Sequence, residues 1–384
     1  MDSSKCISFV RSVLNPNTPF PEIRSEEEWM DLYGFSKKQA IVGIVFDGIK
    51  RYQETGCGSV PLDVVMNWYG KTIQIKERNR LLNKRCAEVS SFFAEAGFRS
   101  CILKGQGNAM MYPHPTMRFP GDIDIWVEGD RKAIKEVIRN KVGKTIEVSH
   151  HIAFPLFDDV STEVHFTPTE MCNPFYNRRL QHYFSLHRTA QMAKLISLGN
   201  EDERISVPEK LFNAVFQLSH IMFHFFIEGI GLRQFIDYFY LLSSGFTAEE
   251  KDDYMRLVKE LGMKKFAESV MWIEQEVLGL DEQFLLIDPY ESGGKLILEE
   301  ILETGNMGFY DTRSDLRRRG LLGRGIADTI RDLQLARVFP SEGLSKPLQK
   351  IVNLKWKIKE SYRKTSVCHH DGLRCTGNNK KTRE

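Results

Sequence analysis

From Glu26 to Ala96 the apolar positions recur at spacings of three and four, with Trp29, Leu32 and Tyr33 followed by Ile41, Ile44, Val45, Ile49 and Tyr52. That is the period of amphipathic helices. A Gly56-Cys57-Gly58-Ser59 break and Pro61 open a second helical stretch through Leu81, Leu82, Cys86, Val89, Phe92 and Phe93, which Gly97 ends. At Gly97 the period changes. FRSCILKG, IDIWV, TIEVSHHIAF and STEVHF are short β-rich runs, and the helix-like DRKAIKEVIRNKV lies between the second and third. Strands alternating with helix predict an α/β or α+β core between residues 97 and 185. After Val207-Pro208 the helical pattern returns in EKLFNAVFQLSHIMFHFF, in GLRQFIDYFYLL and around 250–280 and 293–304. The stretch bearing Gly305, Gly308, Gly320, Gly323 and Gly325, with Arg317-Arg318-Arg319 inside it, reads as a loop between helices. No internal repeat is visible.

The predicted architecture is therefore α+β: an N-terminal helical region (1–96), a mixed core (97–185), a C-terminal helical domain (186–345) and a basic, partly disordered tail (346–384). Composition agrees with this. A chain of 384 residues, 42% hydrophobic and 27% charged, excludes disordered, collagenous and coiled-coil classes and is long enough for at least two domains. Its 53 Lys+Arg against 51 Asp+Glu leave +2, too near neutral for the whole chain to be a nucleic-acid or membrane binder. The tail is different: from Lys346 onward 11 basic residues face three acids, the pattern of a solvated end that could also touch RNA, anionic lipid or an acidic partner. Seven scattered cysteines argue against a disulfide framework and for a reducing compartment. No signal-peptide core or membrane-length apolar run occurs, since IMFHFFIEGIGL carries His224 and Glu228. A cytoplasmic location is expected.

The segment richest in chemistry is LKGQGNAMMYPHPTMRFPGDIDIWV, from Leu103 to Val127. A strand runs into Lys104-Gly105, a short helix-capable stretch follows, a proline-rich loop carries Arg118, and a second strand begins at Gly121. On a strand, i and i+2 share a face, so Asp122 and Asp124 present two carboxylates together while Ile123 and Ile125 enter the core. Adjacent carboxylates repel unless a cation sits between them, and Mg²⁺ or Mn²⁺ suits oxygen ligands and substrate phosphates. Glu163 in STEVHF is the best third ligand, on the face it shares with His165, and Asp158 or Asp159 is the fallback. Lys104-Gly105 offers a backbone approach to phosphate where a turn opens a helix.

These residues resemble the signature of the polymerase-β-type nucleotidyltransferase superfamily: a hydrophobic strand ending in glycine, a hydrophobic-Asp-hydrophobic-Asp strand, and a further acidic strand. More narrowly, the LKG, the Tyr-Pro step, the Arg and the GDIDIWV text resemble a large bacterial family of uncharacterised nucleotidyltransferases. The EVHF, IEGIGLRQFIDYFYLL and ETGNMGFYD segments are similar to that family too, so the resemblance spans about residues 25–340. It implies a nucleotidyltransferase-type mixed sheet and metal-dependent transfer of a nucleoside monophosphate from an NTP to an unidentified small-molecule, protein or RNA acceptor. On it, Asp122, Asp124 and Glu163 are the catalytic and metal residues, and Lys104, Gly105, Gly107, Arg118 and Gly121 the nucleotide-binding ones. The superfamily usually places a second Gly or a Ser directly after the first glycine; Gly105-Gln106-Gly107 departs from this and alters the phosphate-binding turn. A toxin-like enzyme acting on RNA or protein, and a non-catalytic nucleotide sensor or scaffold, are the alternatives.

Other residue patterns carry less. Lys104 and Arg118 have the charge for triphosphate or, equally, for ion pairs with nearby aspartates. Arg233 and Asp237, four apart in GLRQFID, form a helix salt bridge or contact nucleotide or acceptor. His220 and His224 have zinc-ligand spacing but no HExxH glutamate, and read as helix packing. His150, His151 and His165 receive no catalytic role. Cys368-His369-His370 with Cys375 matches no standard zinc spacing. Oligomeric state has no signature in the sequence.

Overall fold

The computed structural model describes residues 1–200, 202–311 and 320–347. Arg317-Arg318-Arg319, almost all of the basic tail and the Cys368–Cys375 group lie outside the described residues. The chain folds as a small mixed sheet flanked by helices, an α+β architecture.

Four helices come first: α1 (Ser3–Leu14), α2 (Glu26–Lys38), α3 (Val42–Glu54) and the long α4 (Leu62–Glu95). The 34 residues of α4 span about 50 Å at 1.5 Å each. Its buried stripe changes partners along the way. Val64, Trp68 and Ile75 join a large core with the other N-terminal helices and the C-terminal helices, while Leu82, Cys86, Val89 and Phe93 pack under the sheet in a second core. One helix thus braces both cores.

The sheet contains β1 (Ser100–Ile102), β2 (Ile123–Val127), β3 (His151–Ala153) and β4 (Thr162–His165), in the spatial order β1-β2-β4-β3. β2 and β4 run parallel, with Asp124 opposite Glu163; β1 and β3 flank them antiparallel, and β3 sets His151 opposite His165. Between β1 and β2 lie the short α5 (Gln106–Ala109) and a 3₁₀ turn, and α6 (Arg131–Val142) follows β2, started by Asp130, whose carboxylate accepts from the Lys132 and Ala133 N–H groups. Strict alternation decides the two faces. Ile123, Ile125, Val127, Val164 and Ile152 enter the second core with α4 and α6. Asp124, Trp126, Glu163, His165 and His151 therefore share the opposite face.

That opposite face is covered by helices α7 (Pro174–Gln191) and α8 (Lys210–Ile227), joined by a hairpin of β5 (Leu195–Ser197) and β6 (Arg204–Ser206). α9 (Leu232–Ser243), α10 (Ala248–Glu260), α11 (Lys264–Trp272), a π-helical turn (Ile273–Val277) and α12 (Glu291–Thr304) complete the large core. α7 and the β5–β6 hairpin have no counterpart in the sequence reading. The glycine-rich stretch after 305 also differs from the loop expected there: Gly320, Gly323 and Gly325 lie inside α13 (Gly320–Val338), which the short α14 (Pro340–Gly343) follows. Arg331 of α13 explains part of that helix's docking. It is buried, pairs with Glu300 at 2.8 Å and donates to the Phe226 carbonyl at the α8 terminus.

Two of the family-like segments meet at the end of α8. A Cβ on Gly229 would lie 2.8 Å from Gly308, and one on Gly231 would lie 3.0 Å from Asn306. This close approach has no room for side chains, and it places Asn306 and Met307 on the rim of the cleft described next.

Candidate active site

A cleft of about 680 Å³ opens where the sheet's polar face meets α8 and α9, within the size range of small-ligand sites. Asp124, Glu163, His165 and His151 line it from the sheet, Lys104 from the turn after β1, Arg233 from α9, and His220 and His224 from α8. Every described cysteine, at 6, 57, 86, 101 and 172, is unpaired and outside this cleft. Among the described residues no helix is long and apolar enough to cross a membrane.

The two aspartates of the DID run occupy different environments. β2 begins at Ile123, so Asp122 precedes the strand and is exposed at the cleft mouth, whereas Asp124 is 2% exposed. The Asp124 carboxylate meets Lys104 Nζ at 3.1 Å and His165 Nε2 at 2.9 Å. Burial opposes its charge, but Lys104 and His165 outweigh that and hold it well below the usual carboxylate range. Glu163, directly across the β2–β4 pair, lacks such a cation. Burial, then repulsion from Asp124 and Asp122, pushes its carboxyl up to about 7. Asp124, Glu163 and His165 present ligand atoms that all lie within 4.8 Å of one another; Asp122 stands apart from this group. Asp159, the fallback ligand, is instead paired with Arg85 at 2.7 Å, and neither it nor Asp158 reaches the cleft.

The observed donor set suits a divalent cation. Two carboxylates face each other across one strand pair, Asp124 Oδ2 is buried with no hydrogen bond beyond its ion pair to Lys104, and Glu163 resists ionising for want of positive charge.

Positive charge enters from α5's start and from α9. Lys104 sits between Asp124 and His220, 3.0 Å from His220 Nε2. Burial would lower its ammonium, yet Asp124 and Asp122 raise it overall. Gly105 takes φ +65°, left-handed backbone that glycine adopts without strain, and so turns the chain from β1 into α5. Gly107 does not face the cleft: its Cα packs against Val207, leaving 2.8 Å for a Cβ. Gly121 lies along the Arg233 guanidinium, where a Cβ would come within 3.5 Å of Nη1.

Arg118 and Asp237 form a bidentate pair with two contacts of 2.7 Å, both buried, and Tyr112 donates to the same carboxylate at 2.6 Å. They front a narrow side pocket of about 30 Å³, far below nucleotide size. The guanidinium fork of Arg118 is thus filled by protein, and Asp237 pairs with Arg118 rather than with Arg233 one helical turn away. Arg233 keeps its buried Nε without a partner and lines the main cleft. Burial, then the Arg118 charge, depresses its guanidinium, the state of a cation with an unmet demand for an anion.

The histidines are what the sequence reading under-valued. His220 and His224 contact each other at 3.0 Å through their Nε2 atoms, and Glu228 accepts from His224 at 2.9 Å. Burial, then Lys104 and His224, holds His220 neutral. On the sheet side, His150, His151 and His165 cluster, and burial followed by its two neighbours lowers His151 to about 3. The available signal was the β3–β4 alternation, which puts His151 and His165 on the face of Glu163. What the sequence lacked was the antiparallel register joining them.

Residues 25–279, about two-thirds of the chain, match the family described as "Uncharacterised nucleotidyltransferase". No curated protein sequence matches the chain. Among solved structures it is similar to an antigenic nucleotidyltransferase-like protein from Paracoccidioides brasiliensis, at 11% identity and a TM-score of 0.35 over 55% of this chain and 95% of that one.

Proposed function

Because the chain belongs to the uncharacterised nucleotidyltransferase family, we propose that it moves a nucleoside monophosphate from an NTP to an acceptor hydroxyl or phosphate and releases pyrophosphate. The observation that carries this reading is the pairing of Asp124 with Glu163 across parallel strands in a nucleotide-sized cleft that also holds an unpartnered arginine. Asp122, Asp124 and Glu163 would hold the Mg²⁺ or Mn²⁺, which supplies polarisation of the transferred phosphoryl group and neutralises the departing pyrophosphate. The chain's own residues do the rest. Arg233, which lines the cleft, offers its guanidinium to the triphosphate. Lys104 adds charge at the same end, steered between Asp124 and His220. Gly105 brings the α5 backbone close to the phosphates. A carboxylate of the acidic group takes the acceptor's proton. Arg118 and Asp237 fix the cleft wall from behind instead of touching nucleotide.

The test is calorimetric titration of each of the four NTPs with Mg²⁺ into the wild type, Asp122→Asn and Arg233→Met, with pyrophosphate release followed in parallel. Asp122 is exposed, so its variant should keep the wild-type unfolding temperature while metal-dependent NTP binding and turnover are lost. Wild-type binding without any pyrophosphate release across acceptors would favour a nucleotide sensor, and full turnover by Asp122→Asn would refute the assignment of that residue.

A further inference from the structure

Three imidazoles clustered on the sheet side of the cleft call for an explanation that phosphoryl transfer through carboxylates does not give. His150, His151 and His165 present ligand nitrogens within 4.8 Å of one another, with ring centroids 4.7, 5.3 and 5.6 Å apart. We propose that these three histidines, with Glu163 at their edge, form a binding site for a divalent transition-metal ion of the Mn²⁺, Co²⁺ or Zn²⁺ class. The site adjoins the oxygen-rich group of the proposed reaction and stands whether or not that reaction occurs.

The backbone sets up the cluster. His151 and His165 are directly opposed in the antiparallel β3–β4 pair and so share a face, and the Phe166 N–H donates to the His150 carbonyl at 2.9 Å, which extends the pairing by one residue. The ladder thus holds His151 and His165, while His150, in the bend that leads into β3, brings its ring to within 4.7 Å of His151. Glu163, two residues from His165 on the same face, reaches His151 Nε2 at 3.4 Å and His165 Nε2 at 3.8 Å. Donors about 2.1 Å from one ion and roughly 90–110° apart are separated by about 3.0–3.4 Å, so these gaps are close to ligand edges without large side-chain movement.

Surrounding groups orient the rings as they do around metal-bound histidines. His150 Nδ1 lies 3.5 Å from Glu170, a carboxylate that Ser149 itself donates to at 2.8 Å, and this leaves Nε2 free. His165 Nδ1 faces the Thr167 carbonyl at 3.4 Å, and its Nε2 meets the Asp124 carboxylate at 2.9 Å, a contact that metal binding would exchange for the ion. His151 Nδ1 is buried without a hydrogen-bond partner. A carboxylate or carbonyl on one ring nitrogen and a ligand on the other is the usual arrangement around protein-bound zinc. Imidazole nitrogen selects borderline transition ions, whereas Mg²⁺ demands oxygen ligands and near-ideal octahedral geometry.

The experiment uses tag-free, chelator-treated full-length protein titrated with Co²⁺ in millimolar Mg²⁺, which competes for oxygen-only sites, Glu163 being the one ligand the two sites share. Visible d–d absorption and metal content after dialysis are the readouts. About one Co²⁺ per chain with an imidazole-ligand spectrum is expected, and His150→Gln and His151→Gln should each weaken uptake by about tenfold or more. Mg²⁺-NTP binding by the same two variants reports whether the cleft is intact, and unfolding curves report whether they fold. Absence of stoichiometric uptake by the wild type, or equal uptake by wild type and both folded variants, would overturn the site. Failure of NTP binding in the wild type with Co²⁺ uptake preserved would sink the nucleotidyl-transfer reading alone.

Discussion

The unmatched charge on Glu163 makes metal-free stability depend on pH in a way that one substitution removes. Its carboxyl is raised from 4.5 to about 7 by burial and by Asp124 and Asp122. A group whose folded value lies above its unfolded one contributes stability that is complete below about pH 4.5 and lost as pH rises through about 7. At about 1.4 kcal/mol per pH unit the full effect is about 3 kcal/mol. The side chain is 30% exposed, and solvent screening reduces this to about 1–2 kcal/mol. About three-fifths of this remains at pH 5.5, so at about 2–3 °C per kcal/mol the wild type in chelator should lose about 1–3 °C between pH 5.5 and 8.5 from this group. Glu163→Gln has no proton to lose and should not show that component. His151, whose folded value is lowered to about 3, contributes the opposite slope as pH falls through 6.5, but it does so in both proteins and cancels in the comparison. Added Mg²⁺ should restore the wild type at pH 8.5 and leave Glu163→Gln unmoved. Circular-dichroism melts at three pH values suffice, and parallel curves for the two proteins in chelator would refute the electrostatic account of the carboxylate pair.

Five further substitutions probe the frame of the fold. Arg118→Leu or Asp237→Leu alone leaves a buried charge uncompensated and should cost about 3–5 kcal/mol in urea unfolding, with the double variant recovering much of it. Gly107→Ala forces a Cβ to within 2.8 Å of Val207 and should destabilise by about 1–3 kcal/mol, whereas Gly70→Ala, with open space on the exposed side of α4, should stabilise by about 0.5–1 kcal/mol. Glu274 is fully buried on the π-helical turn with neither carboxylate oxygen hydrogen-bonded, so Glu274→Leu should raise stability by about 1–3 kcal/mol, measured by the same denaturant titration.

Sequence periodicity carried the helices well where an apolar stripe was long, as in α4 and α8, and carried β2 because IDIWV alternates between bounded turns. It missed α7, whose exposed Phe175 and Leu186 blur the stripe, and it misread Gly320, Gly323 and Gly325, because glycine weakens a helix by only about 1 kcal/mol while docking through Arg331 and Leu335 decides the outcome. At the site, the i, i+2 rule correctly put Glu163 and His165 on one face. It overstated the likeness of Asp122 and Asp124, since it began the strand at Gly121, two residues before β2 starts. Arg118 and Asp237 lie 119 residues apart, and Lys104 and His220 116 apart. Contacts at such separations are set by how helices dock on the sheet, and no local spacing encodes them.

The position of the cleft nevertheless follows from one helix stripe. Alternation in β2 sends Trp126 to the same face as Asp124, and an indole there must be covered. Phe212 of α8 stacks on it at 5.9 Å and 12°. Continuing along α8 in steps of four gives Phe216, His220 and His224, whose rings follow one another at 5.8 and 4.3 Å. The stripe therefore begins as core and ends as cleft wall, with its chemistry changing halfway along. Where it is aromatic it seals the sheet over Trp126; where it becomes imidazole it stands beside Lys104 and leaves the Asp124 end of the strand open to ligand. A helix that carried aliphatic residues at 220 and 224 would close the face over a buried Asp124–Lys104 pair, and with no hydrogen-bond acceptor for the third ammonium direction that closure would be unfavourable. The polar end of the stripe is thus tied to the buried aspartate, and the two could be exchanged for apolar residues only together.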